Sequence, residues 1–573
     1  MAKLPEAERV AEGDKSGVAR EPSRVERFAP LACGALLAVP SLAAHYLPMT
    51  DLALHEGAVG LLRHFGDDAY APPGLYRLNL GHPNQLFYVA AWALSYLVGT
   101  MWAVKIVIAI AQLMIFWTGA RLADHLGRSR WAVLLLAPLA LGFTYYWGLT
   151  ANLIGFACLL GVLPALDRAA AAPTPRRVAS SCALLMLTFF AHESTFAAAT
   201  AFIGVLAIAY PLERRKTILR LAPALFAVVV AAGHQLYASR FFTTTGVHAP
   251  TRFPSLWHRV AGFPSVLFGS HELAAQLILV GLSFVALALL VGARLRAKEA
   301  ARPGEEGPPS IGPRLARVRH AILRYRYELT GAAFLALYFV LPFNWRGATL
   351  LYDRFLGPAW ALLVICAAPR SNAPRLAKLA SCVLPIAILL VAWPQFADAD
   401  ATFRDLDAVI AAIPKNSAVA VVVVERPIFH ERVYSVGVGA ARVVADRGGR
   451  VGLSLATSAI APVQVSPEYR WDEYDRRMLL SELTGLRPSH DLDRFGWVLV
   501  ASRGPAEIRE LLVLALQPDA EVVIARGEWI LLRSNHPQLP LTSPDGPENP
   551  RAETLVDRVT WLQRRLQQPP PIP

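Results

Sequence analysis

The stretch PMTDLALHEGAVGLLRHFGDDAYAPP (residues 48–73) lies between two long apolar runs and is rich in ionisable side chains. A simple connector between two membrane-spanning helices does not need so many of them. The function of the stretch therefore depends on which side of a membrane it faces, and topology has to be argued first. Its acidic and histidine residues are Asp51, His55, Glu56, His64, Asp67 and Asp68.

The composition indicates a membrane protein with many spanning helices. Of 573 residues, 54% are hydrophobic and 17% are charged, and the mean hydropathy is +0.39. The apolar residues form long runs rather than amphipathic stripes, which is typical of transmembrane helices. The sequence predicts about 11 transmembrane helices. We expect them near 28–48, 101–123, 131–147, 150–166, 178–192, 195–210, 219–238, 272–292, 329–342, 354–368 and 378–395.

The distribution of basic residues predicts the orientation. We assign the apolar segment 84–99 to a juxtamembrane or re-entrant helix, because counting it as a span would reverse every later loop. With the N-terminus in the cytoplasm, most Lys and Arg residues before 396 then fall in inner loops, as the positive-inside rule requires. The net charge of +13 reflects these loops, and we expect no nucleic-acid partner. Residues 49–83 become the first outer loop and 293–328 a cytoplasmic linker.

The remaining chain predicts a small α/β domain outside the cytoplasm. After a cytoplasmic N-tail (1–27) and the transmembrane domain (28–395), strand-like and helix-like patterns alternate over 396–534. Residues 535–573 form a Pro-rich tail that we expect to be disordered or peripheral. All five cysteines lie in apolar spans, so the outer domain must fold without disulfides.

Asp51 is the residue of the first outer loop that we single out. Thr50 or Asp51 can cap a helix through LALHEGAVGLLRHF, and we expect this helix to be amphipathic and to lie at the membrane surface. Asp51 and His55 are then one helical turn apart, at the depth of lipid head groups. A carboxylate there can bind a metal ion or take a proton from a hydroxyl; the alternative is that it only caps the helix.

This organisation resembles the integral-membrane glycosyltransferases of the GT-C fold, which use polyprenyl-phosphate sugars. The shared features are the first span, the acidic first outer loop, the juxtamembrane segments, a long second span ending in the basic turn ARLADHLGR, and many short spans. The resemblance implies that the chain is a distant bacterial member, with Asp51 at the position of the catalytic base or metal ligand. Many relatives carry an Asp-x-Asp or Glu-x-Asp pair. Here His55 accompanies Asp51 instead, so a divalent cation (Mg or Mn) stays an open possibility.

Other polar side chains are expected on the outer side, where they can complete such a site. Transfer from a lipid phosphate needs a base for the acceptor hydroxyl and positive charge for the leaving phosphate. Arg346 and Arg354 in NWRGATLLYDRFLGP are the phosphate-binding candidates, although Arg354 can instead pair with Asp353. We expect further substrate contacts from His192 and Glu193 of FFAHESTF. Tyr145, Tyr146 and Trp147 are also candidates, unless they form only an interfacial aromatic belt.

The sequence therefore predicts an inverting glycosyltransferase of the cytoplasmic (inner) membrane. Its catalytic residues are Asp51 and His55, and its partners are membrane lipids, a polyprenyl-phosphate sugar and an acceptor that the sequence does not specify. A non-catalytic scaffold or sensor, and a lipid or solute transporter, are the alternatives. Scattered positions for Asp51, His192 and Arg354 would favour the scaffold, and a polar cavity at the bilayer midplane would favour the transporter.

Overall fold

A computed structural model describes most of the chain, and the statements below concern those residues. They are 23–210, 216–241, 251–300, 314–344, 350–370, 372–424, 437–452, 454–458, 460–471, 486–502, 506–542 and 552–567.

The described residues form a bundle of apolar helices joined to a five-stranded sheet. The helices of six residues or more are Arg24–Ala43 (α1), Leu52–Arg63 (α2), Leu86–Val98 (α3), Thr100–His125 (α4), Thr150–Ala171 (α5), Pro175–Ala191 (α6), Glu193–Ala209 (α7), Thr217–Phe241 (α8), Leu256–Phe268 (α9), Leu273–Ala300 (α10), Arg314–Val340 (α11), Asp353–Ala367 (α12), Arg375–Ile410 (α13), Arg442–Arg447 (α14), Ala506–Leu516 (α15) and Leu555–Gln567 (α16).

The helical bundle is that of a polytopic membrane protein. Six of the described helices are long and apolar enough to cross a bilayer. The described helices at the other predicted spans are shorter, more polar or interrupted. With 13 residues, α3 is too short to cross, as the sequence predicts for 84–99. The six long segments are Arg24–Ala43, Thr100–His125, Thr150–Ala171, Thr217–Ala238, Leu273–Ala297 and Arg375–Ile410.

The segment predicted as a span over 131–147 is not one continuous helix. It consists of a 3₁₀-helix (Arg130–Leu136) and two four-residue helices, Ala137–Ala140 and Phe143–Tyr146. Gly142 separates the two short helices, and the chain is so crowded there that a Cβ would lie 2.2 Å from the Pro138 carbonyl oxygen. The interruption places a buried, irregular turn directly in front of α5.

Helix α2 forms where the sequence predicts it, but it does not lie free at a surface. Its glycine face, Gly57 and Gly60, packs on the segment that ends in α14, and a Cβ on Gly60 would lie 2.9 Å from the Cα of Ala445. Glu56, which an amphipathic helix would expose, is buried. The small residues let a second layer of chain come within backbone contact, so the C-terminal region covers this face of the helix.

The C-terminal region is an α/β structure with the sheet order β3-β2-β5-β7-β6. Strands β2, β3 and β5 are parallel, while β7 runs antiparallel to both β5 and β6. The strands are Tyr76–Leu78 (β1), Ala418–Val424 (β2), Arg450–Val451 (β3), Val463–Val465 (β4), Trp497–Ser502 (β5), Ala520–Arg526 (β6) and Trp529–Ser534 (β7).

Helices run through three of the boundaries expected from the sequence. α13 continues across residue 396 as a single 36-residue helix. α10 and α11 extend into the predicted linker 293–328, and residues 301–313 lie outside the described part. α16 falls in the predicted tail, yet Leu555 is buried against the sheet and Arg558 pairs with Asp519. This apolar and ionic contact makes α16 part of the α/β structure.

The first loop and the C-terminal region lie on the same side of the membrane, because they share a β-ladder. Strand β1 pairs antiparallel with β4. The side chain of Asn79 donates to the Ala461 carbonyl at 2.8 Å. No chain can form such a ladder across a bilayer, so 76–79 and 461–465 occupy one compartment.

A buried ion cluster joins the two regions. Arg442 lies 3.2 Å from Glu56 and 3.0 Å from Asp407, and its guanidinium stacks 4.6 Å above the Tyr46 ring. Burial raises the pKa of the Glu56 carboxyl to about 7, and Arg442 acts against that rise. Both side chains are at least nine-tenths buried, so removing one partner leaves the other as an uncompensated buried charge.

We predict that Arg442→Met destabilises the protein by about 3 kcal/mol, because it leaves Glu56 buried without its cation. Denaturant unfolding in detergent measures the change. Arg533→Met is the matched control: Arg533 pairs with Glu521 at an exposed position and its loss should cost less than about 1 kcal/mol. Equal effects of the two substitutions would contradict the structural role of the cluster.

Candidate functional site

Asp51 is positioned by a backbone contact between the first loop and the turn before α5. The Thr50 amide donates to the Tyr146 carbonyl at 2.8 Å, and the Asp51 amide donates to the Trp147 carbonyl at 3.2 Å. Gly148 follows with a φ of +77°, and a Cβ there would lie 2.7 Å from the Asp51 nitrogen. Only glycine adopts this conformation readily and leaves that space.

The Asp51 side chain does not cap α2, although the residue occupies the N-cap position. Its carboxylate makes no capping hydrogen bond. Burial raises the pKa of the Asp51 carboxyl to about 6. A half-buried carboxylate with this pKa is ionised at neutral pH, yet it binds a proton more readily than a solvated aspartate. The chain thus holds a carboxylate whose oxygens are not committed to the helix.

His55 is held between two other elements by both of its ring nitrogens. Nε2 lies 2.7 Å from the Gly148 carbonyl oxygen, and Nδ1 lies 2.6 Å from the Tyr88 hydroxyl. A carbonyl only accepts, so Nε2 carries the proton and Nδ1 accepts from Tyr88. Burial lowers the pKa of His55 to about 4, which keeps the ring neutral. We predicted a catalytic role for His55, and the structure shows both of its ring nitrogens engaged, Nδ1 with the Tyr88 hydroxyl and Nε2 with the Gly148 carbonyl. Its geometry is that of a positioning residue.

His192, Glu193 and Arg354 come together at the turn between α6 and α7. Arg354 Nη1 lies 3.2 Å from His192 Nε2 and 3.5 Å from a Glu193 carboxylate oxygen. His192 Nδ1 caps α7 by accepting from the Ser194 amide at 3.1 Å, and Ser194 Oγ lies 2.8 Å from the same nitrogen. The imidazole is buried and Glu193 is exposed. The predicted polar hairpin and the predicted arginine therefore form one cluster.

Two chains of contact connect this cluster with Asp51. The first runs along the start of α5: Gly148 touches Asp51, and a Cβ on Gly155 would lie 2.8 Å from the His192 Cβ. Residues 150 and 155 are separated by about 7.5 Å of helix rise. The second chain runs through α3, since the Asn84 side chain accepts from the Glu193 amide at 3.1 Å and Tyr88 donates to His55. Asp51 and the Arg354 cluster are thus connected through packed residues, and their joint role in one site stays a prediction.

The turn that links them carries buried polar groups for which the described residues offer no hydrogen-bond partner. They are the Tyr146 hydroxyl, the Thr150 hydroxyl and the Asn152 amide nitrogen. Each such group costs free energy in an apolar surrounding unless another molecule satisfies it. All three can donate, which suits the oxygens of a phosphate or a sugar.

The three aromatic residues of this turn have different surroundings. The Tyr145 hydroxyl lies 3.0 Å from Ser41 Oγ inside the bundle, away from any surface. Tyr146 is also buried and packs edge-on against His271. Trp147 is partly exposed and contacts the Phe143 ring. Tyr146 and Trp147 are therefore next to Asp51, whereas Tyr145 belongs to the packing of α1. The predicted phosphate ligand Arg346 lies outside the described residues.

The region offers Asp51 alone as a metal ligand. Among the described residues no group of three or more His, Cys, Asp or Glu side chains is arranged to hold a metal ion. His55 has no lone pair left for one. The described donor set does not fit a divalent cation, and we route no chemical step through a metal.

Tyr88 and Gly148 are site residues that the sequence analysis missed. The sequence could have indicated Gly148, because a glycine between an aromatic run and the start of a helix is typical of a position with positive φ. Tyr88 had none, since its position in an apolar helix is equally typical of core packing.

Comparisons with known proteins give a similarity among solved structures. No family model and no curated protein matches the chain. Among solved structures, it is similar to the crystal structure of ArnT from Cupriavidus metallidurans bound to undecaprenyl phosphate. The identity is 12% and the TM-score 0.49, over 92% of this chain and 100% of that chain. A likeness at this level carries no activity across, so the function is argued below from the site itself.

We predict that Gly155→Ala destabilises the protein by about 1–3 kcal/mol, because the new methyl group would overlap His192. Gly161→Ala lies two turns further along α5 and is the matched control: its Cβ would meet Thr118 at an ordinary 3.4 Å. Thermal unfolding of both variants in detergent checks the difference. Equal stability of the two would contradict the close packing of α5 on His192.

Proposed function

We propose that the protein is a membrane glycosyltransferase that moves a sugar from a polyprenyl-phosphate donor to an acceptor hydroxyl at the outer face of the cytoplasmic membrane. In this proposal the N-terminus is cytoplasmic, and the first outer loop and the α/β region lie outside. The observation that carries it is Asp51: a half-buried carboxylate outside the spans, not committed to its helix, and connected by packed residues to an arginine cluster.

Asp51 supplies the base in this reaction. Its carboxylate takes the proton of the acceptor hydroxyl while that oxygen attacks the anomeric carbon of the sugar, and the bond from this carbon to the phosphate oxygen breaks. A single displacement inverts the anomeric configuration. With a pKa of about 6, Asp51 is mostly ionised at pH 7 and is a stronger base than a solvated aspartate.

Arg354 stabilises the leaving lipid phosphate. A guanidinium can donate two parallel hydrogen bonds to phosphate oxygens, and its charge neutralises the negative charge that develops as the bond breaks. His192 Nε2 lies 3.2 Å from Arg354 Nη1 and restricts its position, and Glu193 balances the arginine charge. The unsatisfied donors at Tyr146, Thr150 and Asn152 belong to the turn and helix start that connect the two residues, and in this proposal they bind the sugar.

His55 is assigned a positioning role. It fixes Gly148 and Tyr88, and Gly148 is the residue against which the Asp51 backbone packs. The contacts that connect Asp51, His192 and Arg354 favour catalysis over a scaffold, for which the three residues would have no reason to approach one another. They gather at helix ends, which also distinguishes the site from a transport pathway at the midplane.

We predict that Asp51→Asn abolishes transfer and leaves the protein folded, since the amide is isosteric with the carboxylate but takes up no proton. The measurement compares outer-surface glycans and lipid-linked sugars, by mass spectrometry, in a deletion host complemented with each variant. Asp124→Asn is the control, because Asp124 lies at the C-terminal end of α4 and forms an exposed ion pair with Arg130. Product in the Asp51→Asn strain would reject the proposal.

We predict that kcat/KM decreases at acid pH with an apparent pKa of about 6. The base must be ionised, so activity is lost as pH decreases through the Asp51 pKa and is retained above it. Initial rates of the purified protein between pH 4.5 and 8 give the profile. A limb near pH 4 would mean that the reaction uses a solvated carboxylate instead.

Arg354→Gln is predicted to lower kcat by about 10²-fold, the usual size of a lost electrostatic contact in a transition state. Arg354→Lys keeps the charge but loses the second donor, and it should retain more activity than the glutamine variant. Identical rates for Lys, Gln and wild type would remove Arg354 from the mechanism.

A further inference from the structure

A second pocket lies at the far end of α2 and has no part in the chemistry at Asp51. The chain that follows the helix folds into an open pocket of about 250 Å³. Its lining is mainly rings and carboxylates: Phe65, Tyr70, Tyr76, His64, Asp67 and Asp68. α2 has 12 residues between Asp51 and this pocket, so the two sites are separated by about 18 Å.

The aromatic wall is held in place by the C-terminal region. The Tyr70 hydroxyl donates to the Val444 carbonyl, and the Tyr76 hydroxyl donates to the Gly449 carbonyl at 2.7 Å. His64 stacks on Tyr70 with ring centroids 4.4 Å apart and planes 14° from parallel. A wall of rings fixed in this way presents flat apolar surface at little entropic cost to a ligand.

The charge of the pocket limits what it can bind. Asp67 accepts from the Ala69 amide and lies 3.5 Å from His64 Nδ1. Asp68 is exposed, and no described residue makes a hydrogen bond with its carboxylate. Two carboxylates repel a lipid phosphate, so this pocket is not a second donor site. Carboxylate oxygens are strong acceptors for hydroxyl groups, and rings pack on apolar faces.

We propose that this pocket binds a saccharide unit of the acceptor, and that the acceptor is a neutral glycan chain long enough to reach from the pocket to Asp51. The inference rests on the proposed function for the identity of the acceptor. In it, Phe65 contacts a face of the sugar ring while Asp68 accepts from its hydroxyls. Binding of a remote unit holds the reacting hydroxyl at Asp51 and favours extended acceptors over single sugars.

Phe65→Ala and Asp68→Asn test this assignment with little risk to folding, because both side chains are exposed. The probe is the neutral oligosaccharide fraction released by mild acid from the envelope of the deletion host, labelled with a fluorescent amine. Fluorescence anisotropy measures its binding to the full chain in nanodiscs. Phe253→Ala is the matched control, an exposed phenylalanine outside the pocket.

We expect both pocket variants to bind the labelled fraction about fivefold more weakly, and Phe253→Ala to bind it like wild type. In the transfer assay, the pocket variants should raise KM and leave kcat within about twofold. The proposal would be overturned if wild type did not bind the labelled fraction, or if Phe65→Ala bound it as tightly as wild type. It would also be overturned if spermidine by itself displaced the bound fraction. Sugar transfer by the Asp51→Asn variant would instead reject the catalytic role of Asp51. The binding measurements do not depend on that role and test the pocket by themselves.

Discussion

The site depends on one backbone contact, in which residues 50 and 51 pair with the carbonyls of 146 and 147. This contact places the start of α2 directly on the start of α5, and Gly148 makes the approach possible by leaving no Cβ in the way. His55 then fixes the same turn from the other side. Because this contact buries Asp51, its loss would leave the carboxyl more exposed and bring its pKa closer to that of a solvated aspartate.

Burial gives the site its chemical properties, and contacts with the surrounding protein offset the free energy that it costs to bury charged groups. Burial alone raises the Asp51 pKa, while His55 stays neutral and contributes orientation only. Glu56 lies five residues after Asp51, and Arg442 offsets its burial, so Asp51 and Glu56 in the same segment are a reactive carboxylate and a neutralised one. Because Arg442 belongs to the C-terminal region, that region stabilises the helix whose first residue is the proposed base. The α/β structure is in this way part of the site's support.

The sequence predicted the parts that depend on local pattern. The long apolar helices, α2, the α6–α7 hairpin and the C-terminal hairpin follow from hydropathy and turn residues, and the polar His192 and Glu193 stood out in an apolar setting. Contacts between distant segments could not be predicted. Nothing in the sequence pairs Glu56 with Arg442, or β1 with β4, since such contacts need the positions of both segments. His55 shows the same limit: its spacing from Asp51 suggested a shared chemical role, but Gly148 and Tyr88 occupy both ring nitrogens.

The most direct test is a cryo-EM map of the full chain in nanodiscs with a non-hydrolysable polyprenyl-phosphate sugar bound. The account predicts density for the phosphate within hydrogen-bond distance of the Arg354 guanidinium, with the anomeric carbon turned toward the Asp51 carboxylate. A phosphate bound elsewhere, or Asp51 and Arg354 on separate surfaces with the ligand touching neither, would contradict it.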